Sequence, residues 1–152
     1  MTAIQELSAG VIPYKVGGDH SLEFLILHSA TVRNPRAKWE FPKGGIEGDE
    51  TPREAAAREF FEETNLTSWA FREGFEQSLS YTYIRRGRKV LKTVTYFVVE
   101  VLDDTTLARS FEHIEDPLGH WYHWGRLDQI NRLLYHAKIR QLFAEADAWL
   151  RQ

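Results

Sequence analysis

The residues Arg58 to Asn65 read REFFEETN, so Glu59, Glu62 and Glu63 crowd three carboxylates beside an arginine. On a helix turning ~100° per residue the three fall within an arc of about 100°, on one face. Like charges one turn apart cost only about 0.2–0.5 kcal/mol on an exposed helix, so a solvated acidic face is the plain alternative. Converging in a cleft, the same carboxylates supply hard oxygen ligands for Mg²⁺, or alternatively Mn²⁺. Such ions keep open positions for water and for phosphate oxygens. Arg58 can orient a neighbouring carboxylate through a two-pronged pair. The Gly44–Gly45 turn just upstream lets a backbone carbonyl approach the same ion.

Chemistry of this kind needs a helix that starts and stops at defined places. Thr51-Pro-Arg-Glu54 provides an N-cap threonine, a first-turn proline and a glutamate three residues on, the pattern of a capping box. The interior to Thr64 is rich in good helix formers, and Asn65 suits a left-handed stop. Helical spacing puts Ala55 and Ala56 on the carboxylate face. It puts Ala57, Phe60, Phe61 and Thr64 on the opposite, core-facing side.

Upstream, residues 6–15 and 22–29 read as strands around Val-Gly-Gly-Asp-His, where paired glycines suit a hairpin turn. Residues 30–38 read as a polar loop, and Trp39–Gly45 as a short extended segment, with Phe41 biased to β by Pro42. Downstream come strands over about 69–84 and 89–101, joined through Arg-Arg-Gly-Arg-Lys. Residues 106–119 are irregular, His120–Trp124 suits a short strand, and one or two helices fill 126–151. Interspersed helices and strands make the class mixed α/β.

From Gly44 to Leu66 the chain reads Gly-x5-Glu-x7-Arg-Glu-Phe-x-Glu-Glu-x-Asn-Leu. This closely resembles the signature box of the Nudix hydrolases, departing from it at Asn65, where the pattern has glycine. The resemblance implies a single domain over 1–152, an α/β/α sandwich with a mixed sheet, and a loop–helix–loop at 44–66. It also implies metal-dependent attack of water on a phosphoanhydride bond. Carried over by position, the Gly44 carbonyl, Glu59, Glu62 and Glu63 hold the divalent ions. Glu50 pairs with Arg58, and Glu59 activates the water.

Beyond the box, residues 8 to about 124 resemble the asymmetrical diadenosine tetraphosphate hydrolases. The likeness lies in SAGVIPY with LEFLILH, WEFPKGGIEGDE, EGFEQSLSYTY with KTVTYFVVEV, and FEH with YHW. By that resemblance Lys43 and Lys38 contact substrate, and Tyr81 and Tyr122 bracket an adenine ring. Stacking of this sort is worth ~1–3 kcal/mol per base. The basic hairpin of Arg85, Arg86, Arg88 and Lys89, followed by Lys92, could clamp a long polyphosphate. Glu112 is the further metal-site glutamate, with Glu115 or Asp116 as alternatives across an insertion. An RNA 5′-pyrophosphohydrolase shares the box and the WxFP lead-in. Broad nucleoside or inositol polyphosphate hydrolysis is a further alternative, and a Nudix-fold binding module without turnover is the alternative of another class. All box carboxylates are present, which favours the enzyme.

The bulk properties fit this picture. The 152 residues carry a net charge of −3, which argues against a general nucleic-acid coat and leaves room for local cations around a small anionic substrate or an RNA 5′ end. With no cysteine, disulfides, thiolate metal sites and a cysteine nucleophile are excluded. The start lacks a basic segment followed by an apolar run, and no stretch approaches the ~20 apolar residues of a membrane span. The expectation is a soluble cytoplasmic domain with no obligate protein partner.

Overall fold

The structure is a computed structural model, described for residues 3–28, 38–108 and 121–152. Seven strands form one sheet: β1 (Ile4–Val16), β2 (Leu22–His28), β3 (Trp39–Glu40), β4 (Lys43–Gly45), β5 (Ser68–Arg85), β6 (Arg88–Asp103) and β7 (Tyr122–Gly125). Helix α1 (Pro52–Thr64) follows β4, and α2 (Leu127–Leu133) and α3 (Ala137–Leu150) close the chain. The main path runs β3-β2-β1-β6-β5, with β4 on β1 and β7 on β2. β1 and β6 are parallel and the remaining pairs antiparallel. The expected mixed sheet is therefore present.

Strand alternation sends side chains to two separate cores. Ala9, Val11, Leu25, Phe97 and Val99 meet Ala55, Ala56 and Phe60 of α1 on one face. Ile12, Phe24, Ile26, Val94 and Tyr96 meet Ile130, Ile139 and Phe143 of α2 and α3 on the other. The result is an α/β/α sandwich. Between Phe71 and Glu76 the β5–β6 register slips, and Phe75 enters the second core against Trp149 at 5.6 Å, helping to seat α3.

Helix α1 has the expected ends. The capping box of Thr51 and Glu54 is formed, and Asn65 adopts the left-handed conformation at φ 60°. Its inner face differs from the expected one. Ala55, Ala56 and Phe60 are buried, whereas Phe61 is 47% exposed. The buried arc runs through Ala56, Phe60 and Thr64 and takes in Glu59 and Glu63, both half-buried. The helix thus packs through its carboxylate side, and Phe61 is turned outward.

Turn chemistry also departs in detail. The β1–β2 turn places its positive φ on His20 (65°), not on the paired glycines. The β5–β6 hairpin closes through Arg86 and Gly87 alone, at φ 52° and 76°, a two-residue turn matched to strand twist. No described helix is long and apolar enough to cross a membrane.

Candidate active site

Arg58 organises the carboxylates. Its Nε and Nη2 donate to the two oxygens of Glu50 at 2.7 and 3.0 Å. Nη2 also donates to the Gly45 carbonyl at 2.9 Å, and Nη1 to Glu59 at 2.9 Å and Glu62 at 3.2 Å. Glu50 accepts from the Glu47 amide at 2.8 Å as well, so the loop before α1 and the helix itself are tied through one guanidinium. The Arg58 side chain and the Glu47 amide hold the Glu50 carboxyl below the usual range, and Arg58 stays charged.

Glu59 and Glu63 sit where ionisation is disfavoured. Burial raises Glu59, against the opposing pull of Arg58. Burial and the adjacent Glu59 push Glu63 up to about 8, although it accepts from the Lys43 amide. Gly44 explains how the glutamate comes so close: a Cβ there would overlap the Glu59 carboxylate, which would have to swing away. Gly10 does the same one layer below, since a Cβ would lie 2.6 Å from the Pro42 carbonyl oxygen and 2.7 Å from Lys43 Cβ. These two glycines let β4 lie flat on β1 and bring its backbone against α1.

A divalent cation fits this donor set. Partly desolvated carboxylates whose charges raise one another's proton affinity are oxygen ligands lacking sufficient counter-charge. Among the described residues no three ligating side chains yet converge on one point. Glu59 and Glu62 are drawn to Arg58 and would turn from it to share an ion with Glu63.

A cavity of about 630 Å³ opens on the α3 side of the sheet, and Lys43, whose amide donates to Glu63, is one of its lining residues. Among the described residues its walls carry Lys38, Lys43, Lys92 and Lys138, with Glu40 as the one acidic group. Burial and the neighbouring Lys43 lower the Lys92 ammonium, as expected of two cations awaiting an anion. Tyr81 and His136 stack at 5.5 Å between centroids with planes 24° apart, and Lys38 lies 4.1 Å above the Tyr135 ring. Burial, then Lys38, keeps His136 below its ordinary value, favouring the neutral ring.

Of the residues singled out from sequence, the structure brings Lys38, Lys43, Tyr81 and Lys92 to this cavity. It does not bring Tyr122 or Lys89 there. Tyr122 pairs with Leu27, and Trp124 with Leu25. Both leucines face α1, so Tyr122 lies across the sheet from Tyr81 and instead meets Trp121 edge-on at 5.0 Å. Lys89 pairs with Ile84, whereas Lys92 pairs with Tyr81 and Val90 with Tyr83, which places Lys89 on the opposite face of the hairpin. Glu112, Glu115 and Asp116 lie outside the described residues.

Sequence reasoning missed Glu40, Tyr135, His136 and Lys138. The signal for three of them was the aromatic pair and lysine of Tyr135-His-Ala-Lys138, falling where two helices meet. Glu40 was hidden in plain view three residues before Lys43.

Comparison with known proteins agrees with the geometry. An RNA pyrophosphohydrolase of Sulfurovum sp. is 28% identical over 113 residues, covering 71% of this chain and 69% of that protein. The asymmetrical bis(5′-nucleosyl)-tetraphosphatase of Sus scrofa is 29% identical over 133 residues, covering 86% and 82%. A crystal structure of a C. elegans Ap4A hydrolase binary complex superposes with a TM-score of 0.76 at 26% identity, covering 96% of this chain and 98% of that one. The NUDIX domain family matches residues 5–146. Together with the Arg58-centred carboxylates on α1, that match over nearly the whole sequence means that this chain belongs to the Nudix hydrolase family.

Proposed function

We propose that the protein hydrolyses dinucleoside polyphosphates, splitting diadenosine tetraphosphate asymmetrically into ATP and AMP. The observation that carries this reading is the cavity that gathers the Tyr81–His136 stack and the Lys43–Lys92 pair, tied to α1 through the Lys43 amide that Glu63 accepts from. A nucleobase lies against the aromatic rings, and the lysines neutralise phosphate oxygens. Glu59, Glu62, Glu63 and the Gly44 carbonyl would hold Mg²⁺, with Mn²⁺ as the alternative. When bound, the ion screens the phosphate oxygens and makes water a better nucleophile.

Glu59 accepts a proton from the attacking water, whose oxygen bonds to one phosphorus as the bridging P–O bond on its far side breaks. Arg58 acts through position: by gripping Glu50 and the Gly45 carbonyl it keeps the Gly44 backbone facing the helix. The tetraphosphatase of Sus scrofa, matched over most of both chains, supports this reading.

A second reading is removal of pyrophosphate from an RNA 5′ end, favoured by the Sulfurovum relative and by the cationic hairpin. A panel of diadenosine tetraphosphate, 5′-triphosphorylated RNA, nucleoside triphosphates and diphosphoinositol phosphates separates the two by kcat/KM. The dinucleotide should rank at or near the top, and Tyr81→Ala should weaken its binding by about 1–3 kcal/mol, roughly 5- to 150-fold in KM. RNA ranking far above the dinucleotide would transfer the assignment to the second reading. An unchanged KM in Tyr81→Ala would remove the stacking platform.

A further inference from the structure

Glu40 is out of place in a cavity built for a polyanion. It lies on the two-residue strand β3 and is among the residues lining the cavity, with four lysines among the described ones. Among the described residues the nearest cation, Lys43 Nζ, stands 4.0 Å away, beyond hydrogen-bonding distance. No hydrogen bond to its carboxylate occurs among the described residues, although the side chain is only 31% exposed. It lines the same cavity as Lys43, Lys92, Tyr81 and His136, and its charge is felt at Lys92, Tyr96 and His136 as well as at Glu63 of α1.

A carboxylate in that position repels phosphate, and an ionised one accepts hydrogen bonds without donating any. Its complement in a nucleotide must be a donor: a ribose hydroxyl or an N–H of the base. The ribose hydroxyls lie between the polyphosphate and the base and the N–H groups lie on the edge of the ring, and Glu40 lines the same cavity as Lys43 and the Tyr81–His136 pair, where it can meet either.

We propose that Glu40 is a specificity-determining residue, accepting a hydrogen bond from the nucleoside of the bound substrate, from either the ribose hydroxyls or a base N–H. The inference rests on the cavity being the nucleotide site proposed above. A purely structural counterion to Lys43 and Lys92 would alter every polyphosphate alike. A recognition residue alters the ratio between nucleotides that carry the donor and those that lack it. Loss of a charge-assisted hydrogen bond is expected to change binding by roughly 10- to 100-fold.

The test measures binding of ATP, 2′-deoxy-ATP, 3′-deoxy-ATP and purine riboside triphosphate by isothermal titration calorimetry in EDTA, so that the result is independent of turnover. The wild-type protein should bind ATP roughly 10- to 100-fold tighter than at least one analogue. The deoxy analogues identify a sugar hydroxyl, and purine riboside triphosphate identifies the base amine. Glu40→Ala should bring that ratio close to one, and Glu40→Gln, which keeps a neutral acceptor, should restore part of it. Circular dichroism checks that both variants are folded.

Equal binding of all four nucleotides by the wild type, or an unchanged ratio in Glu40→Ala, would overturn the role of Glu40. So would equal weakening of all four, the mark of a mere counterion. Binding of none of them refutes the nucleotide site and the Glu40 role together. Normal discrimination in binding without hydrolysis of any polyphosphate tells only against the enzymatic reading.

Discussion

Arg58 and Gly44 are the residues on which the carboxylate geometry turns. The arginine joins loop to helix through Glu50, and the glycine leaves the space into which Glu59 settles. Gly44→Ala should therefore displace Glu59 and lower kcat/KM on the order of 10²-fold, the scale of a small misplacement of reacting groups, with the fold retained by circular dichroism. Glu59→Gln, which keeps the shape and removes the basic oxygen, should lower kcat by roughly 10²–10⁴-fold. Rates within a few-fold of wild type would take the proton-accepting role from Glu59. Glu63 predicts a pH effect of definite sign. Its carboxyl is raised to about 8 in the folded, metal-free protein, from an ordinary value near 4.5. Its contribution to stability is then fully present below pH 4.5 and is lost as pH rises through about 8. In EDTA the Tm should fall across that interval, and Glu63→Gln should flatten the fall. Saturating Mg²⁺, which favours the ionised form, should oppose it. A Tm that rises over the same interval in EDTA and ignores the glutamine substitution would contradict the assignment.

At the scale of elements, α1 is the clearest case of what a sequence reveals and what it hides. Its start at the Thr51–Glu54 box and its end at Asn65 were legible because caps are local chemistry, written in adjacent residues. Its inner face was not. Counting apolar residues pointed Phe60 and Phe61 inward together, whereas burial follows the carboxylates that must face β4, leaving Phe61 outside. Phe60→Ala should therefore cost about 3–5 kcal/mol in urea unfolding. Phe61→Ala should stay within about 0.5 kcal/mol of wild type, the range of ordinary surface changes. Comparable losses would restore the paired-phenylalanine core. The same limit explains Tyr122 and Lys89. Their residue types suited a ligand site, yet the face each presents is set by strand register, which depends on distant partners such as Leu27 and Ile84. His136 was invisible for a related reason: its role arises only when the α2–α3 junction folds back over Tyr81.

In the whole molecule, the parallel β1–β6 pair forms the spine, with the carboxylate-bearing helix α1 on one face and the helices flanking the cavity on the other. β4 links the two layers: the Lys43 amide donates to Glu63 of α1, and Lys43 lines the cavity on the other face. Charge is distributed to match: a chain of net charge −3 gathers four lysines around one cavity. That local field would favour a polyanion such as the proposed substrate, whose binding should weaken as salt rises. The central claim, metal-dependent asymmetrical cleavage, is tested most directly by separating the products of diadenosine tetraphosphate incubated with the protein in Mg²⁺ and in EDTA. The account predicts equal amounts of ATP and AMP in Mg²⁺, none in EDTA, and none from Glu63→Gln in Mg²⁺. Two equivalents of ADP, or cleavage that persists in EDTA, would contradict it.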